Sequence, residues 1–136
     1  MRAAAGALEQ PLDPISRGMS LETWLHHELR LYCSVSGKSP ALSFYRTGAG
    51  VEVDFVVETE RKSHSRKAAV VLLEAKAARK WDRRWGGAME ALQDSKALRV
   101  RSSYGVYLGK ERLRFGKVEV LPVGDFLEAL FAGEIF

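Results

Sequence analysis

The chain has 136 residues, 46% hydrophobic and 28% charged, with a net charge of +4 and an isoelectric point near 9.4. That length and balance suit one folded domain with a hydrophobic core and exclude a disordered chain; the modest positive excess is compatible with anionic partners such as nucleic acid. Cys33 is the single cysteine, which excludes an intramolecular disulfide and a paired-thiolate zinc site, and a buried thiol is expected there. No apolar run approaches the roughly 18 residues that span a bilayer, and no signal-peptide pattern opens the chain, so the expectation is a cytoplasmic protein without membrane contact.

Residues 1–17 mix alanines, glycine and prolines without a sustained period and read as a leader or linker, leaving 18–136 as the domain. Ser20 is placed to cap a helix over Leu21–Tyr32, with Leu21, Leu25 and Leu29 at helical spacing and Trp24 widening the stripe. Ser34–Pro40 is a predicted loop, Ala41–Arg46 a strand and Thr47-Gly48-Ala49-Gly50 a turn. Over Val51–Val57 the alternation predicts a strand with Val51, Val53, Phe55 and Val57 on one side, and Glu52, Asp54, Val56 and Glu58 on the other. After a basic hairpin loop at 60–67, Ala68–Ala75 is a continuous apolar strand of the buried type.

Trp85–Leu98 is the next predicted helix, followed by strands at Tyr104–Leu108 and Val118–Val123 and a helix over Gly124–Phe131. Antiparallel strands followed by a helical crossover to another strand predict an α/β fold, a central mixed sheet flanked by helices. Trp24, Phe44, Tyr45, Phe55, Trp81 and Trp85 are expected to fill the core, although a helical spacing of Trp81 and Trp85 would set both beside Arg83 and Arg84. The Phe131–Phe136 tail and the apolar strand edges offer a surface for homo-oligomer formation.

The chemistry concentrates at two strand ends. If the Val51–Val57 and Ala68–Lys76 strands pair, Asp54 and Glu74 come within reach of one divalent cation. Magnesium takes one or two carboxylates plus waters and phosphate oxygens, and two close carboxylates favour a cation between them. Lys76, two residues from Glu74 on the same strand face, is placed to orient a water or stabilise charge on a pentavalent phosphorus. Glu52 shares the face of Asp54 and is a secondary ligand candidate, or the ion-pair partner of Arg46. Arg79, Lys80, Arg83 and Arg84 read either as contacts to a nucleic-acid phosphate backbone or as a solvated face. His26 and His27, adjacent on a helix and about 100° apart, do not share a metal and read as surface or partly buried residues.

Asp54 followed by Glu74-Ala75-Lys76 resembles the PD-(D/E)XK nuclease superfamily. A narrower resemblance runs over residues 18–123. Gly18-Met19-Ser20-Leu21-Glu22-Thr23-Trp24-Leu25-His26-His27-Glu28-Leu29, Phe44-Tyr45-Arg46-Thr47, Glu52-Val53-Asp54-Phe55-Val56-Val57 and Glu74-Ala75-Lys76 together look like the uncharacterised C-terminal domain of bacterial and archaeal AAA-type ATPases. The resemblance implies a restriction-endonuclease-like core and Mg2+ or Mn2+ as cofactor, held by Asp54, Glu74 and an upstream glutamate at the position of Glu22. It further implies Lys76 as a catalytic partner, DNA or an AAA-type ATPase as partner, and Gln93 on the following helix as a secondary site candidate or a surface residue. The ATPase's Walker lysine loop is missing from these residues, so the expectation is a standalone relative or an excised fragment, active in phosphodiester hydrolysis or serving as a silent accessory domain.

Overall fold

The computed structural model describes residues 14–46, 52–96 and 98–136; most of the predicted leader and the turn at Thr47-Gly48-Ala49-Gly50 lie outside the described residues. Helix α1 spans Pro14–Ser36, longer than the predicted Leu21–Tyr32. Proline suits a first helical position, where its missing N–H has no partner to lose, so Ser20 lies inside the helix and is not its cap. Gly37, at φ 77, takes the left-handed conformation that ends it.

Strands β1 (Ala41–Arg46), β2 (Glu52–Glu60) and β3 (Ala69–Lys76) follow. One turn of 3-10 helix at Arg83–Gly86, capped by Asp82, leads into α2 (Gly87–Ser95), which stops where Lys96 turns left-handed at φ 62. Strands β4 (Arg99–Tyr107), β5 (Leu113–Phe115) and β6 (Val118–Pro122) and helix α3 (Val123–Phe131) complete the chain. The strands form one mixed sheet in the order β1-β2-β3-β4-β6-β5. β3 runs parallel to β4 and β4 to β6, while the outer pairs are antiparallel.

The α/β architecture agrees with the sequence expectation, with two differences in the strands. β5 was not expected: Leu113 and Phe115 form a short edge closed onto Val118 by a two-residue turn, with Gly116 at φ 61. β4 begins at Arg99 rather than Tyr104, because its polar first half gains a parallel partner in β3 from Ala69 onward. Pairing supplied by the tertiary fold outweighs the weak local pattern.

The two faces of the sheet bury separate clusters. Leu25, Leu29 and Tyr32 of α1 and Phe126 and Leu130 of α3 pack on Phe55, Val57, Val71, Leu73 and Val106. On the other face Met89 and Leu92 of α2, with Trp81, cover Val53, Val56, Val70, Leu72 and Val120. Side chains such as Leu25, Leu29 and Phe126 have no exposure, each stabilising the fold by about 1.5–3 kcal/mol relative to an exposed position. The C-terminal tail closes the first cluster: Ile135 is buried, and Phe136 packs edge-on against Tyr32 at 5.3 Å. Phe131 remains 43% exposed and Phe44, expected in the core, is 69% exposed on edge strand β1.

One irregularity governs the site. Tyr45 pairs with Val53 and Ser43 with Val56, so Asp54 and Phe55 stand opposite Phe44 alone. This β-bulge resets the strand's two-residue period. Val53 and Val56 therefore share the α2 side, whereas Phe55 and Val57 share the α1 side, correcting the strict alternation expected for Val51–Val57.

Candidate active site

The N-terminal end of β2 and the C-terminal end of β3 meet because the strands are antiparallel neighbours. Their residue pairing reaches Phe55 and Leu73, and the Asp54 side chain extends it: Oδ2 accepts a hydrogen bond from the Ala75 N–H at 2.8 Å. The bulge thus turns Asp54 toward the end of β3, beside Glu74. Glu74 is only 5% exposed, which is rare for a carboxyl group. Burial first, and then a hydrogen bond and charge repulsion from Asp54, push its pKa up to about 9, with Lys76 pulling the other way. Glu74 therefore keeps its proton at neutral pH.

Lys76 lies two residues beyond Glu74 on the same face, where its Nζ sits 5.5 Å from the centre of the Trp85 ring. A cleft of about 380 Å³ opens here, lined by Glu52, Asp54, Glu74, Lys76, Arg84 and Trp85, with Gly87, Ala88 and Ala91 of α2 as its wall. A second cleft, of about 570 Å³, lies between α1 and the β1–β2 pair and contains Glu22, His26, Phe44, Arg46, Glu52 and Asp54. Glu52 and Asp54 belong to both.

Glu22 enters from the α1 side. Its pKa is raised, chiefly by partial burial and then by Asp54, with Glu52 adding and Lys76 opposing. The four predicted residues Glu22, Asp54, Glu74 and Lys76 are therefore electrostatic neighbours. Among the described residues, no three His, Cys, Asp or Glu side chains gather as a metal-holding group. Glu52 is committed elsewhere: its Oε1 lies 3.0 Å from Arg46 Nε.

The basic residues divide. Arg79, Lys80 and Arg83 are exposed around the turn after β3, whereas Arg84 lines the smaller cleft with its guanidinium 2.6 Å from Asp82. That partner holds the Asp82 carboxyl below its usual range. Gln93 is not part of the cleft; it is half-buried on α2, with a buried Oε1 that has no hydrogen-bond partner. Trp81 and Trp85 do not share a helical face. Trp81 is buried over Gly105, ahead of the 3-10 turn, and meets Trp85 edge-on at 5.3 Å.

His26 is the residue that sequence reasoning set aside. It stacks on Phe55, with ring centres 6.0 Å apart and planes 13° from parallel, and lines the larger cleft with Glu22. The signal was its i, i+4 spacing from Glu22, which puts both on one helical face.

Fold and site together define an α/β domain whose mixed sheet carries a buried glutamate, a half-buried aspartate and a lysine at adjoining strand ends. The chain belongs to the family described as a domain of unknown function (DUF4143), whose model matches residues 17–126. No curated protein and no solved structure matches it. No described helix is long and apolar enough to cross a membrane.

Proposed function

We propose that this domain is nuclease-like, of the PD-(D/E)XK type, and hydrolyses nucleic-acid phosphodiester bonds with Mg2+ or Mn2+. The observation that carries the reading is Glu74, buried against Asp54 with Lys76 beside it on the same strand face. The donor set fits such a cation. Two carboxylates match the small protein share of a magnesium shell, and Glu74 is held protonated first by its burial and then by the hydrogen bond and charge of Asp54. When bound, the ion supplies Lewis-acid polarisation of the phosphoryl oxygen and lowers the pKa of a coordinated water.

Asp54 and Glu74 would hold the ion, Asp54 being oriented by the Ala75 N–H. Lys76 is positioned to orient the attacking water and to balance charge building on phosphorus. Glu22 borders the same space and adds negative potential there. Arg79, Lys80 and Arg83, exposed beyond the end of β3, are suited to phosphates flanking the scissile bond. The test is incubation with plasmid and oligonucleotide DNA plus Mg2+ or Mn2+. Cleavage that is lost in Asp54→Ala and in Lys76→Ala is expected; no cleavage, or equal cleavage by Asp54→Ala, refutes the reading.

A second reading follows from the resemblance to the uncharacterised C-terminal domain of AAA-type ATPases. In it the domain is a catalytically silent accessory module, associated with an AAA-type ATPase or with DNA. Calorimetry separates the two: DNA affinity without Mg2+ or Mn2+ binding supports the silent module.

A further inference from the structure

The opposite end of the sheet carries a second chemical surface. The β2–β3 hairpin ends in the loop Arg61–Lys67, folded back by the Ser63 N–H donating to the Arg66 carbonyl at 2.9 Å. It sits beside the start of β4, where Arg99 donates to the Lys67 carbonyl at 3.1 Å and Lys67 in turn reaches the Lys96 carbonyl. Glu60 is the acceptor at the centre of this end. Arg99 pairs with it, and Arg66 and Arg101 add their fields, so its carboxyl stays below its ordinary pKa.

One carboxylate does not balance that many cations. Among the described residues, Arg61, Lys62, Arg66 and Arg101 are exposed and make no ion pair within 4.0 Å. Arg61 and Arg101 also line one cleft of about 410 Å³, with Lys38, Glu58, Thr59 and Phe136. Elsewhere Arg46 pairs with Glu52, Arg84 with Asp82, Arg112 with Asp125 and Arg114 with Glu119, while exposed Arg30, Arg79 and Arg83 make no ion pair among the described residues. Unpaired guanidinium groups gathered at one end match the planar, bidentate acceptor geometry of phosphate.

We propose that this hairpin end, built from Arg61, Lys62, Arg66 and Arg101, is a binding surface for the phosphodiester backbone of a nucleic acid, separate from the carboxylate site. Asp54 and Glu60 are six residues apart on β2, about 20 Å at strand rise, so a ligand touching both ends must extend several base pairs. A nucleic acid fits this surface by charge: four exposed cations without ion-pair partners gather at one end, beside a cleft that Pro40, Ala41 and Phe136 also line, and backbone contacts of this kind carry no sequence preference. The surface requires neither a metal ion nor cleavage and stands whether or not the nuclease reading holds.

The test is fluorescence anisotropy of the full chain with a labelled duplex of about 20 base pairs, in EDTA, from about 50 to about 200 mM salt. In the triple variant Arg61→Ala/Arg66→Ala/Arg101→Ala, the log–log salt slope should become shallower by about 2.7, for three phosphate contacts, with at least about tenfold weaker binding. Arg114→Ala, at an exposed arginine of β5 that pairs with Glu119, should bind as the parent does. A thermal melt verifies that the triple variant is folded; if it is not, the single Lys62→Glu change, on an exposed loop, must still weaken binding. Unchanged affinity and slope in the folded variants, or no binding by the parent chain, overturns the proposal. So does polyglutamate that competes as well as unlabelled DNA at equal charge, which would assign the surface to an acidic protein partner.

Discussion

Replacing Glu74 by glutamine isolates the electrostatic strain at the candidate site. Burial and the neighbouring Asp54 raise the Glu74 pKa from 4.5 to about 9, so between those values the folded chain retains a proton that the unfolded chain releases. Stability contributed by this group is full below the unfolded pKa and falls as pH rises toward the folded one. The limiting slope is about 1.4 kcal/mol per pH unit, or about 2.7 kcal/mol between about pH 6 and about pH 8. The change Glu74→Gln keeps the shape, lets an amide N–H donate to Asp54, and removes the titration. Urea unfolding in EDTA, followed by circular dichroism across that range, should show the parent losing about 2–3 kcal/mol more than the variant. Parallel pH curves, differing by less than about 0.5 kcal/mol in their change, would refute the assignment of a buried Glu74 that keeps its proton.

Divalent cations should reverse this sign. At ten times its dissociation constant, Mn2+ should stabilise the parent by about 1.4 kcal/mol, with a rise in Tm that is larger at higher pH and missing in Asp54→Ala. In the core, Gly105→Ala tests the Trp81 packing: a Cβ would lie 2.5 Å from the indole ring, and chemical denaturation should record a loss of about 1–3 kcal/mol. The change Tyr32→Phe removes the hydroxyl that donates to the Phe136 carbonyl at 2.8 Å, and should cost about 1 kcal/mol by the same measurement.

Much of the fold was legible because its signals are local. The stripe of Leu21, Leu25 and Leu29 marks α1, and the apolar run before Glu74 marks a central strand covered on both faces. The helix limits were less so: α1 starts earlier and α2 later than expected, since Pro14 and the 3-10 turn at Arg83–Gly86 set their starts. β5 escaped notice because three residues hold too little pattern, although the Gly116 turn was a usable hint.

At the site, residue types and strand spacing were sufficient to single out Asp54, Glu74 and Lys76, because a two-residue period puts Glu74 and Lys76 on one face by geometry alone, whereas Glu22 on the helix entered through the resemblance. Which carboxylates actually meet was a tertiary decision. The bulge opposite Phe44 re-aims Asp54 toward the Ala75 N–H, and that depends on the pairing register between two strands, which alternation within one strand does not contain. The burial that lifts the Glu74 pKa likewise comes from elements remote in the chain. So does the convergence of Arg99, Arg66 and Arg101 about Glu60, for Arg99 and Arg101 join the hairpin only through the parallel pairing of β3 and β4.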